Sequence, residues 1–208
     1  MGKSYHHGTI LINADMEKMA RYLTPPIAKL EAKGVKYKFE NEVLRDSSAS
    51  AECDLAVCDF SANGYRLPSE SEWEFAARKT KSGMQAGDEV SGVVASGLEW
   101  NLFAWYSDNC AEARIVGTAG VPFLPGEEVM PGSGNANAAG IFDMSGNLLE
   151  FCWDWFEVYK KDSVYGPAIG FERVSRGGSW SPYTPFLYAG DRYSYDPNEC
   201  YNYMGFRI

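Results

Sequence analysis

The chain has little of what a metal centre or a nucleic-acid binder needs. Its two histidines, His6 and His7, are adjacent and near the start, which is a poor basis for a histidine metal site. Its five cysteines, Cys53, Cys58, Cys110, Cys152 and Cys200, include no CxxC pair, which excludes a zinc ribbon and a thioredoxin-like motif. Cys53 and Cys58 could pair locally and could equally be free thiols, so cysteine usage leaves the compartment open. Lys and Arg number 19 against 28 acids, giving a formal net charge of −9. With a pI near 4.8 and no basic stripe, only small groups such as Lys79/Lys81 and Lys160/Lys161, the composition argues against a nucleic-acid partner. No run of 18 apolar residues exists, so no transmembrane helix is expected. The opening MGKSYHHGTI lacks the apolar stretch of a secretory signal, and His6 stands where a myristoylation signal needs Ser or Thr.

What is present suits one sizeable core: 208 residues, 45% hydrophobic and 23% charged. Aromatics at 14% and 21 glycines, with few long periodic runs, point to a loop-rich α+β fold with small antiparallel sheets and a few helices. Met16, Met19, Ala20 and Leu23 fall at helical spacing, and Thr24-Pro25-Pro26 ends that helix. A short helix over Ile27–Lys33 and a strand through Val35, Tyr37 and Phe39 follow. Residues 1–50 therefore read as an extension packed on a main domain over 51–208.

GYRLPSESEWEFAAR is the clearest helix start. Ser69 as N-cap and Glu72 three residues on form a capping box. Glu70, Glu72 and Glu74 invite a catalytic reading, but capping and the helix dipole account for them, with Arg78, Lys79 and Lys81 at the other end and Gly83 as the stop. Trp73, Ala76 and Ala77 form the buried stripe. Residues 83–140 read mostly as loop, with Trp100, Trp105 and Tyr106 as a short buried strand or anchor segment and 117–134 as a surface excursion. Leu149, Phe151, Trp153 and Trp155 alternate with Glu150, Cys152 and Asp154, a strand pattern. Ahead of it, Ser145-Gly146-Asn147 is a turn. It reads either as an Asx turn or, through the oxygens of Asn147 and Glu150, as a calcium candidate.

The last stretch carries the most distinctive pattern. RVSRGGSW and MGFRI read as two strands of one sheet, with Trp180 as a buried aromatic anchor. Between them run Ser181, Tyr183, Phe186, Tyr188, Asp191, Tyr193, Tyr195, Asp196, Asn198, Tyr201, Asn202 and Tyr203. No helix or strand period sorts these into apolar and polar faces. Tyr, Ser and Asn dominate binding loops because Tyr offers large amphipathic contact at small entropic cost. A Tyr-rich edge of an ordinary core is the alternative.

GYRLPSESEWEFAAR, GIFDMSGNLLEFCWDWF and RVSRGGSW with a closing GFRI, in that order, resemble the formylglycine-generating, sulfatase-modifying-factor family from about Cys58 to Ile208. That resemblance implies a variant of the C-type lectin fold. Enzymes of the family carry two copper-binding cysteines just after RGGSW, and here the matching positions are Pro182 and Leu187. Neither can ligate metal or take part in redox chemistry. An iron-dependent relative would need histidines, which the matching region lacks. The chain is then similar to the variable proteins of diversity-generating retroelements. These display a hypervariable C-terminal surface built from codons that cannot encode Lys, Glu, Gln, Met or Trp. Within 181–203 only Glu199 is of that set, against roughly one residue in five upstream. The resemblance implies a non-catalytic, monomeric, cell-surface or extracellular binder of a protein or other exposed macromolecule, with no required cofactor. The listed run would be its variable face, on a scaffold of Trp180, Arg192, Pro197, Gly205, Phe206 and Arg207. Reading the family as a pseudo-enzyme, or as an enzyme with a displaced site, is the alternative.

Overall fold

A computed structural model describes residues 37–39, 42–43, 57–58 and, from 65 to 208, all but 82, 85–87, 94–98, 123–127, 160–165 and 200. In chain order the elements are β1 (Tyr37–Phe39), β2 (Glu42–Val43), β3 (Val57–Cys58), α1 (Glu70–Ala77), β4 (Lys79–Thr80), β5 (Gly83–Met84), α2 (Trp100–Phe103), β6 (Leu149–Trp155), β7 (Arg173–Arg176), β8 (Arg192–Tyr195) and β9 (Met204–Phe206). β1 lies between β2 and β3, so one small sheet joins strands from both sides of residue 50. The helices read over Asn13–Leu23 and Ile27–Lys33 lie outside the described residues.

The principal sheet has the order β8-β7-β6-β9. β9 runs parallel to β6, whereas β7 pairs antiparallel with both β6 and β8, so this sheet is mixed. Register sorts the side chains onto two faces, because successive residues of a strand point to opposite sides. Glu150 pairs with Arg176, and Arg176 with Arg192, which places these three in one row. Phe151 pairs with Ser175 and Ser175 with Tyr193 in the row beside it, on the other face. β6 alternates as its sequence suggests, but Leu149, Glu150, Phe151 and Cys152 are all buried. The polar positions are not wet, because α1 packs over them.

α1 begins where its capping box sits. Ser69 accepts from the Glu72 amide, and the Glu72 carboxylate accepts from the Ser69 amide at 2.8 Å. The helix ends earlier than its sequence suggests, at Ala77, with Arg78 as C-cap. Lys79 and Thr80 instead pair with Gly83 and Met84 as a two-stranded ribbon, so the lysines do not extend the helix and Gly83 is not its stop. Trp73 and Ala77, each 1% exposed, join Met144, Cys152, Val174 and Ala189 in a core between helix and sheet. Phe151, Leu149 and Met204 form a second core on the far face. A third joins Val90, Val93, Ala104 and Leu187, with α2's Trp100 and Phe103 packed against it. The Trp100 segment is thus a helical turn, not a strand. The excursion at 117–134 is tied back, with Gly134 N–H donating to Gly117 O at 2.7 Å and Gly132 N–H to Val116 O at 2.9 Å.

The strand expected over Arg176–Trp180 stops at Arg176, where Gly177 and Gly178 take φ of +95° and +66°. A side chain at Gly178 would put a Cβ 2.3 Å from Phe186 O, so only glycine lets the chain double back here. Trp180 is half-buried. The deeper anchor is Trp73, whose Nε1 donates to Glu150 at 2.8 Å.

Trp73→Ala should cost about 3–5 kcal/mol in urea unfolding, and Trp180→Ala clearly less, because the second ring loses less buried surface. A pH series tests the helix start. Arg66, hydrogen-bonded to the Glu72 carboxylate, lowers its pKa from 4.5 to about 2. A depressed carboxylate stabilises the fold above its unfolded pKa, and that contribution disappears as pH falls from about 4.5 to about 2. Glu72→Gln should flatten the pH dependence of stability in that window, by a modest amount because the side chain is half exposed.

Candidate functional site

The segment between β7 and β9 lies over one end of this scaffold and is held from beneath by charge. Arg192 on β8 donates to Glu70 of α1 at 2.5 and 2.7 Å and to Glu157 O at 2.9 Å. Arg176, fully buried, pairs with Glu74, lies 3.6 Å from Glu70 and donates to the carbonyls of Ala189, Gly190 and Asp191. Arg207 grips Glu150 through two hydrogen bonds of 2.5 and 2.6 Å and donates to Phe142 and Asp143 carbonyls. The acidic residues of α1 are therefore structural partners as well as dipole and cap residues.

The same network engages the two calcium candidates, Asn147 and Glu150. Both oxygens of Glu150, 1% exposed, are occupied by Arg207 and Trp73. Asn147, at φ +59°, accepts from the Arg114 amide at 2.9 Å and donates to Arg114 O and Asp143. The Asn147 side chain closes no Asx turn, because its oxygen accepts from the Arg114 amide instead. Asn147 is a polar bracket between two loops.

Above the network, the residues of the run fall into three groups. Tyr183 and Phe186 are exposed at 78% and 61%, and Asn198 and Asn202 are also exposed. Tyr193, Tyr195, Tyr201 and Tyr203 are half-buried and pack onto the Leu149/Phe151/Met204 core, with Phe206 beside them. Ring contacts join them in two sets, Tyr195, Tyr201 and Tyr203 with Tyr183, and Tyr193 with Phe186. Tyr201 and Tyr203 stack at 5.1 Å, Tyr195 meets Tyr201 edge-on at 5.5 Å, and Tyr183 lies 6.5 Å from Tyr203. Phe186 stacks on Tyr193 at 6.4 Å, and its amide donates to the Tyr193 hydroxyl. Burial, with Tyr203 adjacent, raises the Tyr195 phenol pKa, and a hydrogen bond to Glu199 raises that of Tyr201, so both hydroxyls stay neutral.

Three members of the run do not join this face. Ser181 is 2% exposed, accepts from the Tyr183 amide and donates its own amide N–H to the Ser179 hydroxyl, so it shapes the loop. Tyr188 turns toward α2, edge-on to Trp100 at 5.4 Å. Asp191 accepts from the Tyr188 amide at 3.0 Å and closes that turn. Asp196 caps the turn through Pro197, accepting from the Asn198 amide at 2.9 Å. Gly205 pairs opposite Glu150. What the sequence concealed is the role of Glu70, Glu74 and Glu150, whose partners lie 57 to 122 residues away in the chain.

The positions matched to the copper cysteines are Pro182, exposed, and Leu187, buried in the Val90 core. Of the nearby thiols, Cys152 is fully buried, and burial pushes its pKa well up, the opposite of an activated nucleophile. Cys110 is shifted up by burial too. A cleft of about 360 Å³ beside α1, bordered by Phe75, Asp154 and Tyr159, has Glu70, Glu74 and Arg192 of the ionic network as its inner wall.

Fold and site together place the chain among sulfatase-modifying-factor-type domains, on a variant of the C-type lectin fold. It belongs to the sulfatase-modifying factor enzyme 1-like domain family, whose model matches residues 15–208, well upstream of the Cys58 at which the motif resemblance begins. A formylglycine-generating enzyme of Streptomyces coelicolor is 33% identical over 158 residues, covering 69% of this chain and 46% of that protein. Chaperone protein LppX of Paenibacillus barcinonensis is 35% identical over 129 residues, covering 57% of this chain and 39% of its own length. The chain thus spans less than half of either relative. Among solved structures, Treponema denticola variable protein 1 aligns with a TM-score of 0.61 at 29% identity, over 83% of this chain and 60% of that one. Among the described residues, no helix is long and apolar enough to cross a membrane.

Glu70→Gln should destabilise by about 3–5 kcal/mol in chemical unfolding, since it leaves buried Arg176 and Arg192 short of a counter-charge. Asn202→Ala, on the exposed turn, should stay within about 0.5 kcal/mol.

Proposed function

We propose that this domain is a non-catalytic binder that presents a diversified C-terminal surface to a protein or other exposed macromolecule. The observation that carries this reading is the aromatic group of Tyr193, Tyr195, Tyr201 and Tyr203 on one core, with Tyr183 and Phe186 stacked or packed against it. It lies on the sheet face opposite α1, with Tyr183 and Phe186 exposed. Large exposed rings on ordered backbone give contact area with little ordering cost. The likeness to a variable protein of Treponema denticola supports the same reading. A Pro and a buried Leu at the cysteine positions, with remaining described thiols that are buried, support a role without formylglycine chemistry. In this reading the domain acts as a monomer outside the cell or on its surface, without a cofactor, and the net charge of −9 keeps it off nucleic acid.

Two measurements test the proposal. Incubated with copper, oxygen and a Cys-containing sulfatase peptide, the protein should leave the peptide mass unchanged. Turnover above a protein-free control would contradict the reading. Sequencing around the gene should find a near-copy of the region encoding 181–203, differing at template adenines, beside a reverse transcriptase gene. A locus without such a copy would remove the diversification part.

A further inference from the structure

The charge on the aromatic face narrows its partner, if the face is the binding surface proposed above. Between Ser181 and Tyr203 the charged residues are Asp191, Arg192, Asp196 and Glu199. Arg192, the one base, is turned beneath the sheet onto Glu70. Asp191 is drawn into its own turn. That leaves Asp196 and Glu199 beside the rings. Among the described residues neither forms an ion pair, and their neighbours are neutral donors: the Asn198 amide and side chain for Asp196, the Tyr201 hydroxyl at 2.8 Å for Glu199. The surface therefore combines flat π-faces with two carboxylates that, among the described residues, pair with no cation.

That combination fits one side chain above others. A guanidinium is planar and weakly hydrated, stacks on an aromatic ring and pairs a carboxylate with the same fork of N–H groups. Tyr201 and Tyr203 stack within 15° of parallel, offering such a ring, and Glu199 stands at its rim. Lysine would gain the charge attraction but not the stacking. We propose that the partner of this face is a protein segment bearing arginine, held by stacking on the tyrosines and by charge to Asp196 and Glu199.

Selection of random linear peptides on the immobilised full chain tests this, against two altered chains. One carries Asp196→Asn and Glu199→Gln; the other carries Tyr183, Phe186, Tyr201 and Tyr203 all changed to Ser. Peptides from the unaltered chain should be enriched in arginine over lysine. They should weaken about tenfold on the Asn/Gln chain, the order expected for losing a charge-assisted contact. They should also weaken as salt rises from roughly 0.05 to roughly 0.5 M, as screening requires. Peptides without excess arginine, or indifferent to the Asn/Gln change, would overturn the arginine inference while leaving the binding face in place. Peptides that bind the Ser-substituted chain equally well, or no enrichment at all, would overturn both. If the Ser-substituted chain fails to melt cooperatively, the near-isosteric Asn/Gln chain still decides the arginine inference.

Discussion

The structure depends on a buried row of charge between α1 and the principal sheet. Glu150, Arg176 and Arg192 lie side by side on three adjacent strands, and α1 meets them with Glu70, Trp73 and Glu74. Arg207, just past β9, closes the row through Glu150. An isolated charge at this depth would cost several kcal/mol, and each of these groups escapes that cost only while its partner is in place. The row therefore specifies how helix and strands dock, since a shift of one residue would turn the charged side chains to the wrong face. Rings help hold it: Arg176 lies over Trp73 at 5.3 Å and Arg192 over Tyr159 at 3.9 Å.

Fixing the sheet from the helix side leaves its other face free for a different use. There, among the described residues, the hydrophobic residues Leu149, Phe151 and Met204 are roofed largely by tyrosines. Tyrosine suits a roof that must also face outward, because its ring seals the core while its hydroxyl stays wet. The two readings of the Tyr-rich run, binding surface and core edge, thus describe inner and outer parts of one layer. Loops borne on a rigid scaffold are where proteins commonly place recognition.

Local features were the legible part of this fold. The capping box at Ser69 and Glu72 and the alternation of β6 each depend on neighbours a few residues apart, and both stand in the structure. What was not legible depends on partners far along the chain. Nothing near Glu70 in sequence announces Arg192, 122 residues on. Trp180 looked like the anchor because it follows two glycines, whereas Trp73 holds that place because Glu150 awaits its indole N–H. Tyr188 could not be told from the other tyrosines of its run, because its departure depends on Trp100. Nor did the sequence show that the oxygens of Glu150 and Asn147 accept from Arg207 and the Arg114 amide.

The central claim is that the ionic row holds the scaffold independently of what the outer face displays. The direct measurement is the distribution of melting temperatures in a library randomised at the exposed positions Tyr183, Phe186, Asn198 and Asn202. Most members should unfold cooperatively within several degrees of the parent, because exposed substitutions usually change stability by no more than about 0.5 kcal/mol. A library in which most members aggregate or lose a cooperative transition would show that these side chains are core, and the separation of scaffold from display surface would fail.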